Sequence, residues 1–275
     1  MTATPPTTEV VSGDARLVCQ VAGTGTPVVL VHAGIADARM WGPLMPELTA
    51  HHRVIRYDLR GYGRSALPRG DFSHVEDLAA VVTALADQPV HLVGASLGGR
   101  VALDLALARP TLVASLVLLG AVVSGHDPDG EPPALWQEVV AANRAGDLDA
   151  VADAEARMWL ADPDGSRLRA GVLDLVRAMN RIALENEHSG LGTERPSDPP
   201  AVDRLGEISL PVLVVVGTLD LPDIRMAADL LVERIPGAVR ADIADAAHLP
   251  ALERPEEVAD VVGRFLADVD QAGGR

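Results

Sequence analysis

Apolar and polar positions follow two rhythms along this chain. Residues 27–31 and 211–216 are continuous apolar runs, and 112–119 is one broken only by Ser115, the pattern of strands buried on both faces. Shorter runs at 54–57, 89–93 and 238–243 predict further strands, and 9–11 and 16–22 predict two more, joined by the hairpin signal Ser12-Gly13-Asp14. Between them lie segments with apolar residues at helical spacing: 38–49 (Met40, Trp41, Leu44, Met45, Leu48), 74–86, 99–108, 223–234 and 255–270. Ser73 with Glu76 reads as a capping box opening the second of these. Pro110 stops the third. Short strands alternating with helices predict an α/β fold, a mostly parallel sheet covered by helices on both faces. Ligands bind such sheets at the C-terminal ends of the strands.

The alternation breaks once. From 124 to 208 the pattern is helical, over 135–145, 148–160 and 166–187, followed by a Pro-rich loop at 189–201 and no strand. Residues 1–123 and 209–275 are therefore read as one core domain, and 124–208 as a helical cap inserted over the strand ends. Packing of these helices on the far side of the sheet is the alternative. Residues 1–6 read as a polar tail.

Chemistry gathers where predicted strands end. Gly94-Ala95-Ser96-Leu97-Gly98 spells G-x-S-x-G between a strand and a helix. That context places a serine on a sharp turn with its hydroxyl thrust clear of the backbone. A Gly-rich helix start that binds an anion, or merely turns, is the other reading. A serine hydroxyl needs a base, and the base needs an orienting acceptor. Asp220 ends the 211–216 strand, and His248 follows the last one. The order Ser96, Asp220, His248 is one of the few that build such a relay. Asp223 is the second choice of acid, otherwise a helix cap, and Asp245 is assigned to a turn. His51, His52, His74, His126 and His188 are read as solvated and His91 as packed in the core. Two amides can serve a developing oxyanion, that of Leu97 and that of Gly34, with Ile35 as the alternative to Gly34. His32 is read as bracing that loop.

Composition narrows the classes. The net charge of −16 disfavours a nucleic-acid partner and anionic membrane surfaces. No run approaches the ~20 apolar residues of a membrane span. All 23 cationic side chains are arginine, which excludes lysine Schiff-base chemistry and covalent pyridoxal. The single cysteine, Cys19, excludes an internal disulfide and a cysteine-rich metal site. The N-terminal residues lack a signal-peptide pattern, so a cytoplasmic protein is expected, monomeric or homodimeric, with no metal and no organic cofactor.

Together these residues resemble the α/β-hydrolase fold family over nearly the whole chain. His32-Ala33-Gly34 is similar to the family's oxyanion segment, with alanine at the usual first glycine. Asp58-Leu59-Arg60-Gly61-Tyr62-Gly63-Arg64-Ser65 is similar to its Asp-x-Arg-Gly-x-Gly-x-Ser loop. Ala247-His248-Leu249-Pro250, followed by Leu252-Glu253-Arg254-Pro255, is similar to the histidine loop of esterase and enol-lactonase members. The resemblance implies a serine hydrolase acting on a small carboxylic ester or lactone. Cleavage of a C–C bond and cofactor-free perhydrolysis use the same triad, and a small-molecule receptor or a cyclase could use the same pocket. Serine as nucleophile argues against dehalogenase and epoxide-hydrolase members, and the lack of lysine against hydroxynitrile lyases. Trp41, Trp136, Met158, Trp159 and Met179 are the candidate pocket walls, each with ordinary packing as the alternative. Arg157, Arg177 and Arg181 could hold a substrate carboxylate or form a solvated helix face.

Overall fold

The computed structural model describes residues 6–126, 132–162, 164 and 166–273. Most of the expected N-terminal tail lies outside them. Strands β1 (Thr7–Ser12) and β2 (Ala15–Ala22) form the hairpin, and β3 is Pro27–Val31. Helix α1 (Met45–His51) precedes β4 (Arg53–Tyr57), and β5 (Gly70–Phe72) precedes α2 (His74–Leu85). Then come β6 (Val90–Ala95), α3 (Leu97–Ala108) and β7 (Val113–Leu119). Helices α4 (Trp136–Ala145), α5 (Leu148–Trp159) and α6 (Val172–Ser189) follow, with β8 (Gly192–Glu194). The chain closes with β9 (Val212–Gly217), α7 (Pro222–Arg234), β10 (Val239–Ile243), α8 (Pro250–Glu253) and α9 (Pro255–Gly273).

The main sheet has the order β1-β2-β4-β3-β6-β7-β9-β10. β1 and β2 pair antiparallel, as do β2 and β4; every other neighbouring pair is parallel. β3, β6, β7 and β9 are fully buried along their lengths, apart from Ala114 on β7. Their apolar faces feed two cores, one on each side of the sheet. The second core continues into the segment between β7 and β9. Ala156, Leu160, Val176 and Met179 share it with Ala33, Trp41 and Leu249 at the strand ends.

Three expectations need correction. The 189–201 loop contains β8, which pairs parallel with β5 in a separate two-stranded sheet. Gly192-Thr193-Glu194 carries no apolar signal, so only its partner makes it a strand. The helix expected from 166 begins at 172. Asp164 takes the Ser166 amide and Asp162 those of Arg167 and Leu168, and these side-chain bonds hold a loop where helix was expected. Residues 38–44 form a 3-10 turn before α1, with Pro43 inside it unable to donate to a helical ladder.

Inside the segment between β7 and β9, arginines join the helices. Arg157 pairs with Glu138 and Asp153, Arg177 with Asp153 and Asp174, and Arg181 with Asp149 and Glu185. All three thus have partners within the segment 124–208. That segment is tied to the rest of the chain by Arg100 Nη2 donating to both carboxylate oxygens of Glu194 at 2.9 and 2.8 Å, and by Asn186 donating to the Gly61 carbonyl at 2.7 Å.

Candidate active site

Ser96 sits between β6 and α3 at φ 49°, ψ −114°. A left-handed φ on a non-glycine residue costs of order 1–3 kcal/mol and persists only where surroundings enforce it. Here glycines allow the enforcement. A Cβ on Gly94 would lie 2.4 Å from the Gly98 carbonyl oxygen, and one on Gly98 would lie 2.2 Å from that of Val31. The helix therefore starts against the ends of β6 and β3 with no room between. The Ser96 amide donates to the Leu119 carbonyl at 2.9 Å, pinning the turn to β7. Ser96 itself is half-buried.

The residue after Leu119 is Gly120, at φ +51°. Its missing side chain makes room for two groups. A Cβ there would stand 3.2 Å from Asp220 Oδ2 and 3.3 Å from His248 Nδ1. His248 Nδ1 lies 3.1 Å from both carboxylate oxygens of Asp220, and both side chains are buried. Asp220 Oδ1 also accepts the Leu221 amide at 2.8 Å. Gly217 lets the histidine loop cross the end of β9, since a Cβ there would meet the Ala246 and Ala247 carbonyl oxygens at 2.3 and 2.2 Å. The structure thus joins His248 to Asp220 directly. Ser96 reaches the same strand ends one peptide away, through Leu119 and Gly120; among the described residues its hydroxyl has no hydrogen-bond partner.

Helix α7 starts at Pro222 without a side-chain cap, so Asp223 caps nothing and the Leu221 amide belongs to Asp220. Asp245 stands at φ +52° in the turn before the histidine.

The Gly34 turn faces the elbow. A Cβ on Gly34 would lie 3.6 Å from Leu97 Cβ. The turn is closed by the Ala36 amide on the Ala33 carbonyl at 3.0 Å. Among the described residues, the amides of Gly34, Ile35 and Leu97 have no backbone acceptor. For Leu97 this follows from its place in the first helical turn. His32 braces the turn. Its Nδ1 donates to the Ala33 carbonyl at 2.8 Å and its Nε2 accepts the Leu59 amide at 2.9 Å. Burial lowers its pKa, which suits this neutral, two-sided bonding. Behind it, Asp58 accepts the amides of Ala38 at 2.9 Å and Arg64 at 3.0 Å, and Arg60 forks onto Asp77 at 2.9 and 2.8 Å. The Asp58–Ser65 loop is a scaffold for the turn.

The pocket candidates separate. Trp159 lies on the His248 ring, with centroids 4.3 Å apart, and its carbonyl accepts the His248 amide at 3.2 Å. Trp41 and Met179 have no accessible surface, and Met158 has 5%, so these three pack the interior where an open wall was expected. Trp136 is 41% exposed at the start of α4. A cavity of about 500 Å³ opens beside the Gly34–Ile35 turn, lined also by Tyr62, Phe72, Asn180 and Leu184. That volume is within the range of small-molecule sites. Glu155 also lines it, its carboxyl pKa raised by burial, with Asn180 donating to it at 2.7 Å.

Two histidines read as solvated are buried, His52 and His74, because tertiary packing covers the element ends they occupy. Burial, and after it the charge of Arg100, pushes His74 down to about 3. The unfolded chain takes up a proton near pH 6.5 that folded His74 refuses, so stability falls as pH drops from 6.5 toward 3. His74→Leu is expected to shrink the stability difference between pH 7 and pH 5 by about 2 kcal/mol, read from urea melts at both pH values. An unchanged difference would show that His74 protonates freely in the fold.

Sequence reasoning missed Gly120, Gly217 and the Glu253 carboxylate. The glycines end apolar runs, which is a readable signal. The role of Glu253 depends on how α8 folds back.

A family model described as the Alpha/beta hydrolase family matches residues 28–261. The chain belongs to the alpha/beta hydrolase family. This hydrolase is 32% identical to a pimeloyl-(acyl-carrier protein) methyl ester esterase of Methylococcus capsulatus, over 91% of this chain and 98% of that one. It is 30% identical to a pyrrolizixenacetamide deacetylase of Xenorhabdus hominickii, over 94% and 97%. A thermophilic esterase of Thermogutta terrifontis, solved with malate bound, superposes with a TM-score of 0.78 at 26% identity, covering 96% of this hydrolase and 99% of the esterase. Among the described residues no helix is long and apolar enough to cross a membrane.

Proposed function

We propose that this alpha/beta hydrolase cleaves a carboxylic ester or lactone of a small molecule through an acyl-enzyme on Ser96. The supporting observation is the Asp220–His248 pair, buried against Gly120 one residue beyond the carbonyl that holds the Ser96 amide. Asp220 keeps the proton on Nδ1 and leaves Nε2 as the base. Nε2 takes the Ser96 proton as the oxygen attacks the carbonyl. The amides of Leu97 and Gly34 receive the oxyanion, each worth about 2.7–4 kcal/mol of barrier in comparable sites. His248 then protonates the leaving alcohol, and water releases the acid with the same roles reversed. The helices between β7 and β9 act as a cap, Trp159 shields His248, and the cavity beside Gly34 takes part of the substrate. Relatives named as esterases and a deacetylase support acyl transfer as the reaction class.

Incubation with p-nitrophenyl butyrate tests this, followed by short esters, lactones and dienone acids. Steady turnover of esters or lactones, lost in Ser96→Ala, is expected. No turnover, or a single acylation, would make the protein a receptor. Turnover of dienone acids alone would make it a C–C hydrolase.

A further inference from the structure

Resting on that triad, we propose that Glu253 and Arg167 are positioning residues for His248, and that the inserted segment holds the base in place through them. Residues 244–249 form no regular element, yet three consecutive amides in them have distant acceptors. The Ala247 amide donates to Glu253 Oε2 at 2.9 Å, the His248 amide to the Trp159 carbonyl at 3.2 Å, and the Leu249 amide to Glu253 Oε1 at 3.0 Å. One carboxylate thus brackets the histidine, holding the 246–247 and 248–249 peptides, while the Trp159 carbonyl holds the 247–248 peptide between them.

The bracket is strongest while Glu253 is ionised, because a carboxylate accepts well at both oxygens, whereas protonation turns one of them into a hydroxyl, a donor and a weaker acceptor. Its side chain is 1% exposed, and burial raises its pKa. A buried carboxylate needs a counter-charge. Arg167, between α5 and α6, supplies it at 2.5 Å. The same guanidinium donates to the Asp245 carbonyl at 2.8 Å and to the Leu160 carbonyl. It therefore joins the end of α5, the turn before His248 and the bracket beyond it. Asp162, 1% exposed, holds the Arg167 and Leu168 amides and so sets the loop that delivers the guanidinium. Glu253 and Arg167 touch no reacting atom; they act through the histidine.

The test compares E253Q, R167Q and R167K with the unmodified enzyme on p-nitrophenyl butyrate. Ser96 is titrated with a p-nitrophenyl alkylphosphonate to count active sites. Glutamine at 253 keeps the volume but turns an NH2 toward an amide N–H. E253Q and R167Q are expected to lose kcat per titrated site by on the order of 100-fold, the effect of misplacing a catalytic group by about 1 Å, with KM nearly unchanged. R167K restores the counter-charge to the buried Glu253 carboxylate, though not the guanidinium's other bonds, and is expected to recover about tenfold over R167Q. Unchanged kcat per site in R167Q overturns the proposal, as does a loss confined to KM or an R167K no better than R167Q. Arg167 is partly exposed, so its variants report even where E253Q does not fold. Full activity in Ser96→Ala would instead overturn the triad on which the proposal rests.

Discussion

Asp220→Asn is expected to lower kcat by about 10,000-fold with little change in melting temperature. The Leu221 amide requires an acceptor at Oδ1, so the asparagine oxygen takes that place. Its NH2 then replaces Oδ2, 3.1 Å from His248 Nδ1. The ring nitrogen, equidistant from both aspartate oxygens, then faces one neutral acceptor already shared with the Leu221 amide and one donor in place of two charged acceptors. The tautomer with its proton on Nε2 gains, and that nitrogen can no longer accept the Ser96 proton. The imidazolium formed during attack also loses its counter-charge in a buried setting. Steady-state kinetics on p-nitrophenyl butyrate beside a thermal melt check this; a loss below tenfold would mean that Asp220 does not orient the base.

Gly98→Ala is expected to damage fold and chemistry together. The added methyl would stand 2.2 Å from the Val31 carbonyl oxygen, 2.5 Å from its carbon and 2.6 Å from the His32 carbonyl oxygen. All three are backbone atoms of β3 and the turn after it, so none can swing aside. The start of α3 must retreat by roughly 1 Å, a displacement that can cost on the order of 100-fold in rate. Overpacking adds about 1–3 kcal/mol of destabilisation. Because the retreat separates Leu97 from Gly34, kcat should fall even in the fraction that stays folded. Gly206→Ala, where nothing lies within 4 Å of the added carbon, is the control and should change neither melt nor rate.

The sheet was legible because burial writes itself into composition. The apolar run at 27–31 is β3 residue for residue, and the runs at 112–119 and 211–216 match β7 and β9 within a residue or two. Ser96 and Asp220 could be placed because each follows such a run, and His248 because it follows the last strand. What lacked a periodic signature was lost. β8 exists through its partner alone, and the start of α6 is set by two aspartates bonding to backbone upstream. His52 is covered from His91 and Asp270, far away in sequence, and His74 packs on the Phe72 and Tyr62 rings, contacts that no periodicity announces. Large side chains misled for a related reason: size and spacing mark Trp41 and Met179 as apolar, but only packing decides whether they face a cavity or a core. Glu253 shows the limit most plainly. The resemblance placed it in the histidine loop but gave it no role, which appears only when a four-residue helix turns it back onto the amides flanking that histidine.

If His248 makes the Ser96 hydroxyl nucleophilic, that oxygen must react slowly once the imidazole is gone. The most direct measurement is the rate of covalent labelling by a p-nitrophenyl alkylphosphonate, with the modified residue located by peptide mass mapping, in the unmodified enzyme and in folded His248→Ala. A single label on Ser96 is expected, formed at least about 10,000-fold more slowly without the imidazole. A label on any other residue, or an unchanged rate in His248→Ala, would contradict it.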